Sequence, residues 1–156
     1  MTEAIKGAEA IYFTAGSGAK DLLQVDAFGA VKLMQAAEKD GIKRFVMLSA
    51  LFLLEPTKWR TVKGLDGLTG YNITKFFADN YLIYDTDLDY TILQPTVMTD
   101  KPGTGKITVD EGKFGYNLVE DVARTLTDIL KYDNTNHKII KMREGDTPID
   151  DALSRV

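Results

Sequence analysis

Tyr71 and Lys75 stand four residues apart in Tyr71-Asn-Ile-Thr-Lys75, downstream of Phe45-Val-Met-Leu-Ser49. Residues i and i+4 share one face of a helix. The phenol and the ammonium are therefore expected to point the same way, toward the end of a strand that holds Ser49. A lysine beside a tyrosine favours the phenolate and lowers the tyrosine pKa. The phenol then exchanges protons more readily near neutral pH. The pattern is short, and on spacing alone a surface Tyr and Lys on an amphipathic helix competes with this chemistry.

Other constellations offer less. Gly16-Ser-Gly18 lies where a dinucleotide fingerprint would sit, but Asp21 stands in place of its third glycine. A tight turn after a strand accounts for these glycines. No Gly-Lys-Ser/Thr loop is present for a nucleoside triphosphate. The only histidine, His137, falls in a polar turn, which leaves a Ser-His-Asp triad without a base unless His137 itself serves. No His/Asp/Glu cluster has metal-ligand spacing, so no metal is expected. Asp85, Asp87 and Asp89 read as turn and cap residues ahead of a strand.

The elements that must position these groups follow from the hydrophobic pattern. Residues 2–7 read as a short helix stopped by Gly7. Residues 10–15, Ala-Ile-Tyr-Phe-Thr-Ala, read as a strand buried on both faces. A helix over about 20–40 has Ala27, Ala30, Val31, Met34 and Ala37 in one stripe. Strands follow over 44–49, 90–94 and 138–142, with a short one expected at 107–109. The helix from Tyr71 to about Asp85 is expected to bury Ile73, Phe77, Tyr81 and Tyr84. Asn117 is expected to cap another helix with Glu120 as its reciprocal partner. Thr147-Pro148 is expected to start the last helix. The long connection over 50–70 is of the kind that carries function. Strands alternating with helices predict an α/β layered, parallel sheet with right-handed crossovers.

With 156 residues, a single domain over 1–156 is expected. Scattered basic residues and a net charge of −4 argue against nucleic acid as a partner. No apolar run is long enough for a bilayer, so no membrane partner is expected. The polar N-terminus and the absence of cysteine point to a cytoplasmic protein.

Five segments in order carry a family resemblance. They are residues 10–18, Val25-Asp-Ala-Phe-Gly-Ala-Val-Lys-Leu-Met-Gln-Ala-Ala37, Gly41-Ile-Lys-Arg-Phe-Val-Met-Leu-Ser49, Tyr71-x-x-x-Lys75 and Leu93-Gln-Pro-Thr96. Together they resemble the atypical and extended short-chain dehydrogenase/reductases, near the NmrA-like and YlbE-like members. The resemblance implies a Rossmann-like sheet and NAD or NADP as cofactor. It implies an oxidoreductase or epimerase-like activity on a small-molecule carbonyl or alcohol. Tyr71 would exchange the proton, Lys75 would hold the nicotinamide ribose and Ser49 would position the substrate oxygen. Thr14, Ala15 and Gly16 would pass beside the cofactor, and Pro95, Thr96 and Val97 would lie near the nicotinamide. The family's hydroxyl usually sits one or two positions later, where this chain has Ala50 and Leu51. A non-catalytic NAD(P)-sensing or protein-interaction module of the NmrA-like kind is the competing expectation, and an inactive fragment is a third.

The resemblance also implies that the chain starts just before the family's fourth strand. It is then an N-terminally truncated, C-terminal portion of the domain, with a partial sheet and without the Gly-rich turn that grips the pyrophosphate. The isolated chain is accordingly expected to bind NAD(P) weakly. A strand over 10–15 that lacks its neighbour leaves an apolar edge, which predicts a homo-oligomer.

Overall fold

Short runs of β-branched and large apolar residues alternate with longer amphipathic ones, and the backbone follows that alternation. The computed structural model describes residues 2–156 apart from Lys63 and Glu111. A short helix α1 (Thr2–Ile5) leads into strand β1 (Ala10–Phe13). A π-helical turn (Leu22–Ala27) runs into α2 (Phe28–Lys39), then β2 (Arg44–Leu48), α3 (Thr69–Tyr84) and β3 (Asp89–Pro95). Three short strands follow, β4 (Val97–Thr99), β5 (Lys106–Val109) and β6 (Tyr116–Leu118). Helix α4 (Val119–Ile129), β7 (Lys138–Glu144), β8 (Thr147–Pro148) and α5 (Ile149–Leu153) complete the order.

The main sheet has the order β1-β2-β3-β7-β5-β8. β1, β2, β3 and β7 are parallel, as crossover helices require. β5 and β8 add an antiparallel margin, and β4 pairs with β6 in a small second sheet. Side chains alternate across the sheet. Phe13, Phe45, Met47 and Ile92 pack under α2 and α3, while Val46, Leu93, Ile140 and Met142 pack under α4 and α5. The α/β sheet expected from the sequence is present.

Several local expectations are corrected. β1 is the outer strand, as expected, but it is not buried on both faces: only Ile11 and Phe13 are buried, while Tyr12 is exposed. The helix expected over 20–40 is split, and its π-helical first turn brings Asp26 inside. The largest shift is on α3, where Phe77 is 63% exposed and Tyr84 is 77% exposed. Asn72, Lys75, Asp79 and Leu82 are buried in place of the apolar stripe read from the sequence. Polar partners at the strand ends draw the Lys75 and Asp79 side of the helix inward. Asn117 caps nothing: it lies in β6, where its Oδ1 accepts the backbone N–H and the hydroxyl of Thr96. Thr147-Pro148 forms β8, and α5 begins one residue later.

Candidate active site

β1 and β2 end side by side, and their parallel register puts Phe13 opposite Met47. The chain leaving β1 therefore runs past Leu48 and Ser49. Helix α3 crosses this edge, and its Tyr71 and Lys75, four residues apart, face it together. The result is a cleft of about 340 Å³ whose walls include Thr14, Ala15, Gly16, Ser49, Tyr71 and Lys75. Ligands in open α/β sheets bind at this carboxyl end of the strands. Pro95, Thr96 and Val97 do not line the cleft. They line a second cavity of about 150 Å³, which shares Tyr71 and Leu68 with it. Tyr71 is thus a wall between two spaces.

Lys75 is buried and donates from Nζ to the Leu48 carbonyl at 3.2 Å. Burial lowers its pKa, against the pull of the Asp79 and Asp26 carboxylates. Ser49 donates from Oγ to Asp79 Oδ2 at 2.5 Å. Asp79 is fully buried, and burial pushes its carboxyl up to about 7 despite the Ser49 hydrogen bond and the nearby Lys75 charge. Its Oδ1 has no hydrogen-bond partner. The Gln94 amide lies near enough to favour the carboxylate, yet neither of its atoms makes a hydrogen bond of good geometry.

The sequence predicts a lowered Tyr71 pKa, and the structure reverses this. Burial raises the phenol to about 12, and the Asp26 and Asp79 carboxylates push in the same direction. No lysine charge offsets them, and the Lys75 ammonium donates to the Leu48 carbonyl. Tyr71 is therefore a neutral phenol at physiological pH. Among the described residues nothing hydrogen-bonds its hydroxyl.

Asp26 and Asp79 are the site residues that sequence reasoning missed. Asp79 follows Lys75 by four positions, so the series 71, 75, 79 was readable as one helix face. Asp26 sits between Val25 and Ala27 in an apolar stretch. Only the π-helical turn brings it inward, and no simple periodicity signals such a turn. Among the described residues no cluster of His, Cys, Asp or Glu could hold a metal ion.

The cleft fits the nicotinamide ribose half of a dinucleotide. A cavity of about 150 Å³ holds one benzene-sized ring, and about 340 Å³ gives space for a ring and its sugar. Lys75 and the loop after β1 offer polar groups to sugar hydroxyls. The described lining does not fit a pyrophosphate. Besides Lys75 its only charge is the buried Asp26 carboxylate, which accepts the Ser17 N–H at 3.0 Å. That amide is one that a glycine turn would otherwise offer to a phosphate.

A family described as NAD(P)H-binding matches residues 1–133. The chain belongs to this NAD(P)H-binding family. It is similar to the oxidoreductase ylbE of Lactococcus lactis, with 45% identity and a TM-score of 0.97, covering 100% of this chain and 71% of that one. It is 37% identical to the uncharacterised sugar epimerase YhfK of Bacillus subtilis, covering 100% of this chain and 72% of the relative. It is 36% identical to the UPF0659 protein YMR090W of Saccharomyces cerevisiae, covering 96% of this chain and 69% of the relative. The family assignment makes NAD or NADP the cofactor class. It agrees with the Rossmann-like, oxidoreductase- and epimerase-like resemblance carried by the five sequence segments. Among the described residues no helix is long and apolar enough to cross a membrane.

Proposed function

We propose that this chain carries the proton-transfer side of an NAD(P)H-dependent reductase acting on a small carbonyl compound in the cytoplasm. The supporting observation is Tyr71: a neutral, unpartnered phenol that forms the wall between the cleft and the second cavity. When bound, the dinucleotide supplies the hydride. Tyr71 gives its proton to the substrate oxygen as negative charge develops there. A phenol that stays protonated suits this direction, because reduction needs a proton donor. Lys75, held by the Leu48 carbonyl in the wall of the cleft, would hold the nicotinamide ribose. Thr14, Ala15 and Gly16, in the cleft, would border the nicotinamide, and Pro95 to Val97, in the second cavity, would border the substrate. We propose that contacts to the pyrophosphate come from outside the described residues, from a further segment or a second chain.

One observation favours a non-catalytic, NAD(P)-sensing role. The Ser49 proton is committed to Asp79, so Ser49 has no proton to give a substrate oxygen while that carboxylate is ionised. The test is NAD(P)H oxidation with a panel of small ketones and aldehydes. Turnover that falls ~10²–10⁴-fold in Tyr71→Phe supports the reductase. NAD(P)H binding without turnover on any carbonyl supports the sensor.

A further inference from the structure

The second cavity allows the substrate to be named by class. We infer that it takes a compact apolar ketone or aldehyde, the size of a cycloalkanone or an aryl aldehyde, and excludes sugars and phosphorylated compounds. This rests on the reductase proposal for its chemistry, but its geometry stands apart.

The cavity has a volume of about 150 Å³, enough for one small ring. Its walls include Leu51, Leu65, Pro95, Val97 and Phe114, and none of its described lining side chains is charged. Several polar groups at its surface are already engaged. The Thr96 hydroxyl and N–H both donate to Asn117, at 2.8 and 2.7 Å. The Leu65 carbonyl accepts the Asn72 side-chain amide and the Leu68 N–H. The Ala50 carbonyl accepts the Leu53 N–H, and the Pro95 carbonyl accepts the Leu51 N–H. Tyr71 alone offers a side-chain hydroxyl without a partner, and it is the one group a carbonyl oxygen needs.

These features discriminate strongly. A sugar has a hydroxyl on nearly every ring carbon, and among the described lining side chains only Tyr71 has a hydroxyl free to donate to one of them. Each hydroxyl buried without a partner weakens binding by about tenfold or more. A phosphate would meet no cation among the described lining residues, and a buried, unpaired charge is penalised further. An apolar ring gains about fourfold in affinity for each methylene taken from water. Several unpaired hydroxyls thus outweigh all that a sugar ring's carbons contribute, whereas an apolar ring loses nothing.

The test is ligand titration by NMR without cofactor, following the signals of Leu65, Val97 and Phe114. Cyclohexanone and benzaldehyde should perturb these signals, and galactose and inorganic phosphate should not. Val97→Asp, at an exposed position on the rim, should weaken cyclohexanone binding tenfold or more while the protein stays folded. Tyr71→Phe should retain cyclohexanone within a few-fold, because the ring contacts remain. Galactose binding as tightly as cyclohexanone overturns the inference. So does the absence of any carbonyl effect on these residues, or indifference to Val97→Asp. Those outcomes concern the second cavity alone; the reductase proposal falls if carbonyl turnover survives Tyr71→Phe or if NAD(P)H binds without turnover on any carbonyl.

Discussion

The hydroxyl of Ser49 donates to the carboxylate of Asp79 across 2.5 Å, tying the end of β2 to the middle of α3. The buried acid below the cleft is thus coupled to the strand that forms the cleft's wall. Its folded pKa of about 7 lies above the unfolded value of 3.8. The folded state therefore holds the extra proton between these values. The contribution of Asp79 to stability is complete below about 3.8 and is lost as pH rises through about 7. Urea unfolding of the wild type and of Asp79→Asn should show a stability difference that moves against the wild type across this window. A difference independent of pH would mean that Asp79 does not titrate there.

Tyr71 gives a second pH signature. A phenol raised to about 12 remains an acid through neutral pH. Carbonyl reduction should therefore show no loss from tyrosine ionisation between about pH 6 and 9. An inflection near 7 that disappears in Asp79→Asn would belong to Asp79. A basic limb that survives in Asp79→Asn would belong to Tyr71 or to Lys75, whose pKa burial lowers.

The cleft suits half a dinucleotide, and binding should reflect that. Nicotinamide mononucleotide and the full NAD(P)H should bind the 156-residue chain within about tenfold of each other, both weakly. The phosphate-gripping helix end that would favour the whole molecule is not among the lining residues. Calorimetry with both ligands checks this. Micromolar NAD(P)H binding with no detectable mononucleotide binding would place the main contacts elsewhere.

Helix α3 offers a test on stability. Phe77 is exposed, so Phe77→Ser should change stability by about 0.5 kcal/mol or less. Leu82 is fully buried, and Leu82→Ala should cost about 2–5 kcal/mol. The apolar stripe read from the sequence predicts a large loss at position 77, so one denaturation series separates the two registers.

We propose that the open edge of β1 pairs with a second copy of the chain. β1 bonds to β2 on one side and is the outermost strand on the other. Light scattering should show a mass that grows with concentration. Tyr12→Lys puts a charge on the exposed face of that strand and should shift the chain toward monomer, while Ile11 belongs to the core and is a poor probe. A constant monomer mass would remove the proposal.

The sequence carried the layout of the fold, because strand and helix periods differ and each crossover between strands is a helix. Tyr71, Lys75 and Ser49 were legible for the same reason: a four-residue spacing and a strand end fix where side chains go. What was not legible depended on contacts between distant segments. The register of α3 is set by Ser49 and Leu48, which pull Asp79 and Lys75 inward against the apolar stripe. Asn117 was claimed by Thr96 before it could cap a helix. The rise in the Tyr71 pKa comes first from burial and is reinforced by Asp26, which a π-helical turn brings into place.

Helix α3 works as a gauge. Tyr71, Lys75 and Asp79 are successive marks on it, each about 6 Å further along the axis, and they meet the wall between the two cavities, the Leu48 carbonyl and the Ser49 hydroxyl in turn. Residues off this line, such as Ile73, Phe77 and Tyr84, can vary freely as far as the site is concerned. Length cannot vary at all. One residue inserted between Tyr71 and Asp79 would turn one end of the line by about 100° against the other. The phenol and the buried acid would then face different sides of the helix, although every side chain of the site was still present.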